Sequence, residues 1–90
     1  MEPKEIAINL IKYYVLRGDG LESLRSSYMG EGCSEYDVAI HGNSWEGDKL
    51  VHQGTSDEIV VSKINGKDCC YIFKLKQLYD EIISGQMKLI

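Results

Sequence analysis

Residues 58–74 read EIVVSKINGKDCCYIFK, and this stretch decides the fold of the protein. Two runs rich in β-branched and aromatic residues flank Asn65-Gly66, the pair best suited to a two-residue type I′ turn. A turn at this pair places Lys63 opposite Asp68, and opposite charges in such a position stabilise a strand pair. The same register matches apolar side chains, namely Ile59 with Ile72, Val60 with Tyr71 and Val61 with Cys70. The stretch therefore predicts a β-hairpin.

Helical spacing of apolar residues precedes and follows this hairpin. Residues 4–17 carry a wide apolar stripe, Pro3 suits the first helical turn, and Gly18 is typical of a helix end. Residues 75–84 carry a second stripe that ends at Gly85. Its apolar side consists of Leu75, Leu78, Tyr79, Ile82 and Ile83.

A short helix is expected between the first helix and the strands. Asp19 and Glu22 have the spacing of a capping box, which predicts a helix over Gly20 to Tyr28. Its buried side chains are expected to be Leu21, Leu24 and Tyr28. Gly30 and Gly32 are expected to end it.

The middle of the chain predicts two further strands. Residues 36–41 alternate apolar and polar, as a half-buried strand does, and residues 49–53 form a second short strand. Residues 42–48 are expected to be a loop and residues 54–57 a turn. Residues 86–90 are either a final short strand or a tail that docks apolar side chains.

These elements predict an α+β fold in a single domain over residues 1–90. It has two N-terminal helices, an antiparallel sheet of three to four strands with the Asn-Gly hairpin, and a C-terminal helix. The first and last helices are expected to cover one face of the sheet, and the other face is expected to be partly open.

Charge is unevenly distributed along the chain. Residues 31–58 contain seven acidic residues against Lys49 alone, whereas the whole chain has a net charge of −4. An acidic block of this kind repels nucleic acid and attracts basic partners. No apolar run is long enough for a secretory signal or a membrane span, so a cytoplasmic protein without membrane contact is expected.

Histidines and cysteines raise the question of a metal or catalytic site. Cys33, Cys69, Cys70, His41 and His52 lack the paired two-to-four-residue spacing of structural zinc sites. Three cysteines with an adjacent pair do not form a disulfide framework, so reduced thiols are expected. We therefore expect no metal, no cofactor and no catalytic residue.

Trp45 is the most informative candidate for binding. It is the only tryptophan, and polar residues surround it in the predicted loop. Tryptophan is enriched at binding hot spots, but the loop could equally fold back so that Trp45 covers the sheet. The candidate binding residues are Trp45, Glu46, Asp48, Glu35, Asp37, Tyr36, His41 and His52.

Two functional hypotheses follow. The first is a small acidic protein-binding module, such as an immunity protein, a phage-encoded inhibitor or a regulatory partner, that binds a basic protein surface around Trp45. The alternative is a small-molecule or nucleotide-handling domain, such as a hydrolase, whose pocket collects His41, His52, Cys33 and nearby carboxylates. A homodimer formed through the sheet edge is compatible with both.

Overall fold

The computed structural model describes residues 2–26 and 29–85. The described elements, in chain order, are α1 (Pro3–Leu16), α2 (Leu21–Ser26), β1 (Met29–Gly32), β2 (Tyr36–Ile40), β3 (Asn43–Glu46), β4 (Lys49–Gln53), β5 (Glu58–Ile64), β6 (Lys67–Lys74) and α3 (Leu75–Ile83). One antiparallel sheet has the strand order β1-β2-β5-β6, and β3 and β4 form a separate two-stranded hairpin. The predicted α+β fold is confirmed.

The main core lies between the four-stranded sheet and the helices α1 and α3. Alternate residues of β2 and β5 point into it, since successive strand side chains point to opposite faces. Its sheet side is formed by Val38, Ile40, Ile59 and Val61. Its helix side includes Ile11, Leu75 and Ile82, which are almost completely buried. The two helices thus cover one face of the sheet, as their apolar stripes predict.

The second face of the sheet is partly covered by the β3–β4 hairpin. Ala39 and Val60 are buried on this face, although they are not part of the helix-side core. The Oγ of Ser44 in β3 donates a 2.7 Å hydrogen bond to the carbonyl oxygen of Cys69 in β6. Ser44 is only 1 % exposed. This bond connects the hairpin to the sheet.

The Asn-Gly turn forms as predicted. Asn65 and Gly66 have φ values of 53° and 78°, and Lys63 lies opposite Asp68. Positive φ at both central residues defines the type I′ turn.

Beyond Lys63 the predicted register of this hairpin is wrong by one residue. Observed partners are Val61 with Tyr71, Val60 with Ile72 and Ile59 with Phe73. Cys69 and Cys70 together oppose the single residue Ser62, which is a β-bulge. The extra residue turns Phe73 toward the core beside Ile59, where an uninterrupted register would place Ile72.

Two strands were missed by the sequence analysis. Gly30 and Gly32 do not simply end a helix, because they belong to β1, an outer strand of the sheet. Gly32 lies opposite Asp37, and a Cβ at Gly32 would collide with the Asp37 carboxylate. The predicted loop over residues 42–48 instead contains β3. This strand was missed because Ser44 is its only buried residue, so its sequence shows no alternating apolar pattern.

The helix boundaries agree with the prediction to within a few residues. Leu24 in α2 is fully buried, while the predicted burial of Tyr28 lies outside the described residues, as does the prediction for residues 86–90. Ile83 was expected on the apolar side of α3 but is 53 % exposed, since the helix packs through Leu75, Leu78 and Ile82. None of the described helices is long and apolar enough to cross a membrane.

Candidate functional site

Trp45 lies on the outer side of the β3–β4 hairpin, on a strand and not in a loop. It is 48 % exposed, and its cross-strand partner Leu50 and the nearby Val51 are exposed to a similar extent. The turn between the strands is Gly47-Asp48, and Gly47 has the positive φ of 62° that such a tight turn requires. Trp45, Leu50 and Val51 are called the apolar patch below.

A larger groove lies on one side of Trp45 and has a volume of about 490 Å³. Four of its lining residues are small and leave space at the surface, namely Gly30, Gly32, Ala39 and Gly42. Its polar lining includes the carboxylates of Glu31 and Asp37, together with His41 and Asn43. This groove exists because the hairpin covers the second face of the sheet only in part.

A smaller groove of about 310 Å³ lies between the hairpin and β6. Trp45 and Val51 line it from the hairpin, and Asp68 and Cys70 line it from β6. Glu46 contributes a second carboxylate, and none of the residues that line this groove is basic. Trp45 therefore lines both grooves, and each groove has two carboxylates and no lysine or arginine in its lining.

The acidic block of residues 31–58 is divided between two roles. Asp37 pairs with Lys63 at 3.8 Å, Asp57 with Arg25 at 2.7 Å, and Glu58 with His52 at 3.0 Å, so these carboxylates connect elements of the fold. Glu46, Asp48 and Asp68 are exposed and form no ion pair with any other described residue. Glu31 and Glu35, at β1 and just after it, are likewise exposed and form no ion pair with other described residues. The hairpin and the adjoining smaller groove thus hold three of the unpaired carboxylates, and the β1–β2 region holds two more.

His41 lies at the point where the chain leaves the sheet for the hairpin. Its φ of 65° is unusual for a residue other than glycine and costs about 1–2 kcal/mol. Its Nε2 lies 2.9 Å from the carbonyl oxygen of Arg25 in α2, a contact that stabilises this conformation. His41 lines the larger groove, but its Nε2 is already engaged with the backbone.

His52 lies away from both grooves. Its Nε2 contacts Glu58 Oε1, which also accepts a hydrogen bond from the backbone N–H of Thr55. The hydrogen bond from His52 lowers the pKa of Glu58, opposed by partial burial of the carboxylate. This contact fastens β4 to the start of β5.

Tyr36 and Glu35 also lie away from Trp45. Tyr36 packs against the helix-side core, and its hydroxyl donates a hydrogen bond to Glu31. That hydrogen bond, together with desolvation, raises the pKa of Tyr36 to about 12. Glu35 is exposed between β1 and β2, and its carbonyl oxygen accepts a hydrogen bond from the N–H of Gly66. Of the eight candidate residues, the structure groups Trp45, Glu46 and Asp48 on one hairpin and places Asp37 and His41 in the adjoining larger groove.

The cysteines differ in exposure. Cys33 is exposed and lines neither groove, Cys69 is half-buried, and Cys70 is exposed in the smaller groove. Burial raises the pKa of the Cys69 thiol, and the neighbouring Cys70 adds to the effect. In residues 2–26 and 29–85 no three His, Cys, Asp or Glu side chains are arranged to hold a metal ion.

Sequence reasoning missed Leu50, Val51 and Asp68 as part of this surface. One available signal was Gly47-Asp48, since a Gly-Asp pair between two short runs is typical of a two-residue hairpin turn. No local signal indicates that Asp68 lies beside this hairpin, because their proximity depends on how the hairpin packs on β6.

No protein-family model matches this chain, and no significant similarity was found to a curated protein or to a solved structure.

Proposed function

We propose that this chain is a small protein-binding module that uses the β3–β4 hairpin to bind a basic surface of a partner protein. The observation that carries the proposal is the half-exposed Trp45, which lines two grooves among carboxylates that form no ion pair with other described residues. An immunity protein, a phage-encoded inhibitor and a regulatory partner are functions of this type.

The apolar patch supplies the anchor in this proposal. Protein interfaces commonly combine a central aromatic or aliphatic cluster with a polar rim. Trp45 projects from a hairpin that is fastened to the sheet by Ser44, so its backbone is held in place before a partner binds. A preorganised anchor loses less entropy on binding than a mobile one, which favours affinity.

The charge of the hairpin steers the approaching partner protein. Glu46 and Asp48 lie at the tip of the hairpin, and Asp68 lies beside it. Because these carboxylates form no ion pair with described residues, their field extends into solvent and attracts a basic partner. Association is then fast at low salt and slower when salt screens the charges.

The alternative small-molecule or nucleotide-handling function is supported less well. It requires histidines, a thiol and carboxylates in one concave pocket. The larger groove brings His41 together with the carboxylates of Glu31 and Asp37. His52 instead contacts Glu58, and Cys33 is exposed outside the groove, so the second histidine and the thiol are not in it. We therefore base the proposal on the hairpin.

The test is comparative capture of partners from a lysate of the cell that encodes the protein. Immobilised wild type, Trp45→Ala and Leu16→Ala are compared, since Leu16 is also an exposed large apolar residue, 63 % against 48 % for Trp45, and lies on α1, beyond the opposite face of the sheet. We expect a protein that Leu16→Ala retains and Trp45→Ala loses, with a cost of about 2 kcal/mol in its measured affinity. Equal capture by all three proteins refutes the proposal.

A charge-reversed pair tests the role of the acidic rim. Glu46→Lys with Asp48→Lys should slow association with the captured protein at low salt, and the difference should shrink at high salt. Glu2→Lys with Glu5→Lys produces the same change in net charge at the start of α1 and is the control. If both pairs slow association equally, net charge and not the hairpin determines steering.

A further inference from the structure

The smaller groove has a lining that selects one kind of side chain. One wall is the exposed indole of Trp45, another is the aliphatic side chain of Val51, and carboxylates of Glu46 and Asp68 complete it. A cation with an apolar stem fits such a lining, since the stem packs on the aliphatic wall and the charge meets the carboxylates. The indole face also attracts cations.

Arginine meets these requirements better than lysine. Its planar guanidinium stacks on an aromatic ring and donates paired hydrogen bonds to carboxylates, whereas the lysine ammonium is a compact and strongly hydrated charge. The volume of about 310 Å³ is at the low end for ligand pockets and suits a single long side chain.

The carboxylates of this groove are available to such a side chain. Asp68 lies opposite Lys63, but the Lys63 ammonium is turned to Asp37, at 3.8 Å. Glu46 is opposite Lys49 in the hairpin and forms no ion pair with it. Both carboxylates therefore retain acceptor positions for a guanidinium.

From charge complementarity and shape together, we infer that the smaller groove is a receptor for an arginine side chain of the partner protein. This inference rests on the proposed function and specifies its chemistry: the arginine guanidinium lies against Trp45 between Glu46 and Asp68, and its stem lies along Val51.

The test uses three capped tripeptides that differ only in the central side chain: acetyl-Gly-Arg-Gly-amide, its lysine analogue and its citrulline analogue. Citrulline has nearly the shape of arginine without its charge. Each is titrated into the full chain labelled with ¹⁵N, and backbone amide shifts are followed by NMR. Trp45 fluorescence gives a second readout, because the chain has no other tryptophan.

We expect the arginine peptide to bind in the millimolar range and to shift the amides of Val51, Asp68 and Cys70. Lysine should bind about threefold to tenfold more weakly, and citrulline should cause no saturable shift. Asp68→Asn should weaken arginine binding about fivefold, whereas Glu5→Asn on α1 should leave it unchanged. A thermal unfolding curve of each variant confirms that the fold persists.

Equal binding of the three peptides, or shifts centred on the larger groove, overturns the inference. If the arginine peptide does not bind but partner capture still depends on Trp45, the inference fails and the proposed function stands. If partner capture is independent of Trp45 as well, both fail.

Discussion

The hydrogen bond from Ser44 to the Cys69 carbonyl should determine whether the hairpin stays on the sheet. Ser44→Ala removes a 2.7 Å bond from a side chain that is only 1 % exposed, and water has little access to replace it. Loss of such a bond costs about 1 kcal/mol, and about 2 kcal/mol if the carbonyl is left without a partner. For a domain of this size, each kcal/mol lowers Tm by about 4–8 °C.

Ser84→Ala is the matched control. Ser84 Oγ also donates to a backbone carbonyl, that of Glu81, at 3.1 Å, but the residue is exposed at the end of α3. Water replaces an exposed bond, so we expect a cost within about 0.5 kcal/mol. The difference in unfolding free energy between the two variants reports the effect of burial, because both variants lose one serine hydroxyl.

Urea unfolding measured by two probes is the assay. Circular dichroism reports the whole fold, and Trp45 fluorescence reports the hairpin, which carries the only tryptophan. The two transitions coincide if unfolding is two-state. For Ser44→Ala we expect a lower midpoint, and an earlier fluorescence transition if the hairpin opens first. A midpoint equal to that of Ser84→Ala would show that this bond does not hold the hairpin.

Two further predictions concern titrating groups. The pKa of Glu58 is lowered mainly by its hydrogen bond from His52, so the stability that this carboxylate contributes is present above its unfolded pKa and is lost as the pH falls through the lower pKa of the folded state. The urea midpoint of wild type should therefore fall over this acidic range, and that of Glu58→Gln should fall less. Cys33 and Cys70 should react rapidly with a thiol reagent in the native protein, whereas half-buried Cys69, with its raised pKa, should react fully only in denaturant, and equal rates for all three would contradict the described burial.

Elements with strong local signals could be predicted from the sequence alone. The apolar periodicity of α1 and α3 predicts the ends of these helices to within a few residues, and the Asn65-Gly66 pair predicts the position of the turn. Both signals suffice because helix stripes and primed turns are local properties of the sequence. The α+β class and the helix-covered face of the sheet follow from these elements.

Tertiary packing decided the register and the second layer. The bulge at Cys69-Cys70 brings Phe73 to the core. The resulting register depends on packing against the helices, and no local sequence pattern predicts it. The hairpin around Trp45 lies on the second face, where Ser44 contacts Cys69, a residue 25 positions away in the chain.

The candidate site shows the same division. The sequence predicts Trp45, Glu46 and Asp48 as binding residues from a lone tryptophan in a polar stretch of an acidic block, and these three residues lie together because they are neighbours on one hairpin. It could not separate them from Asp57 and Glu58, whose charges are used in ion pairs within the fold. Nor could it add Asp68, because side chains distant in sequence converge only when the chain packs. Net charge is therefore a property of the sequence, whereas the charge available to a partner is a property of the tertiary structure.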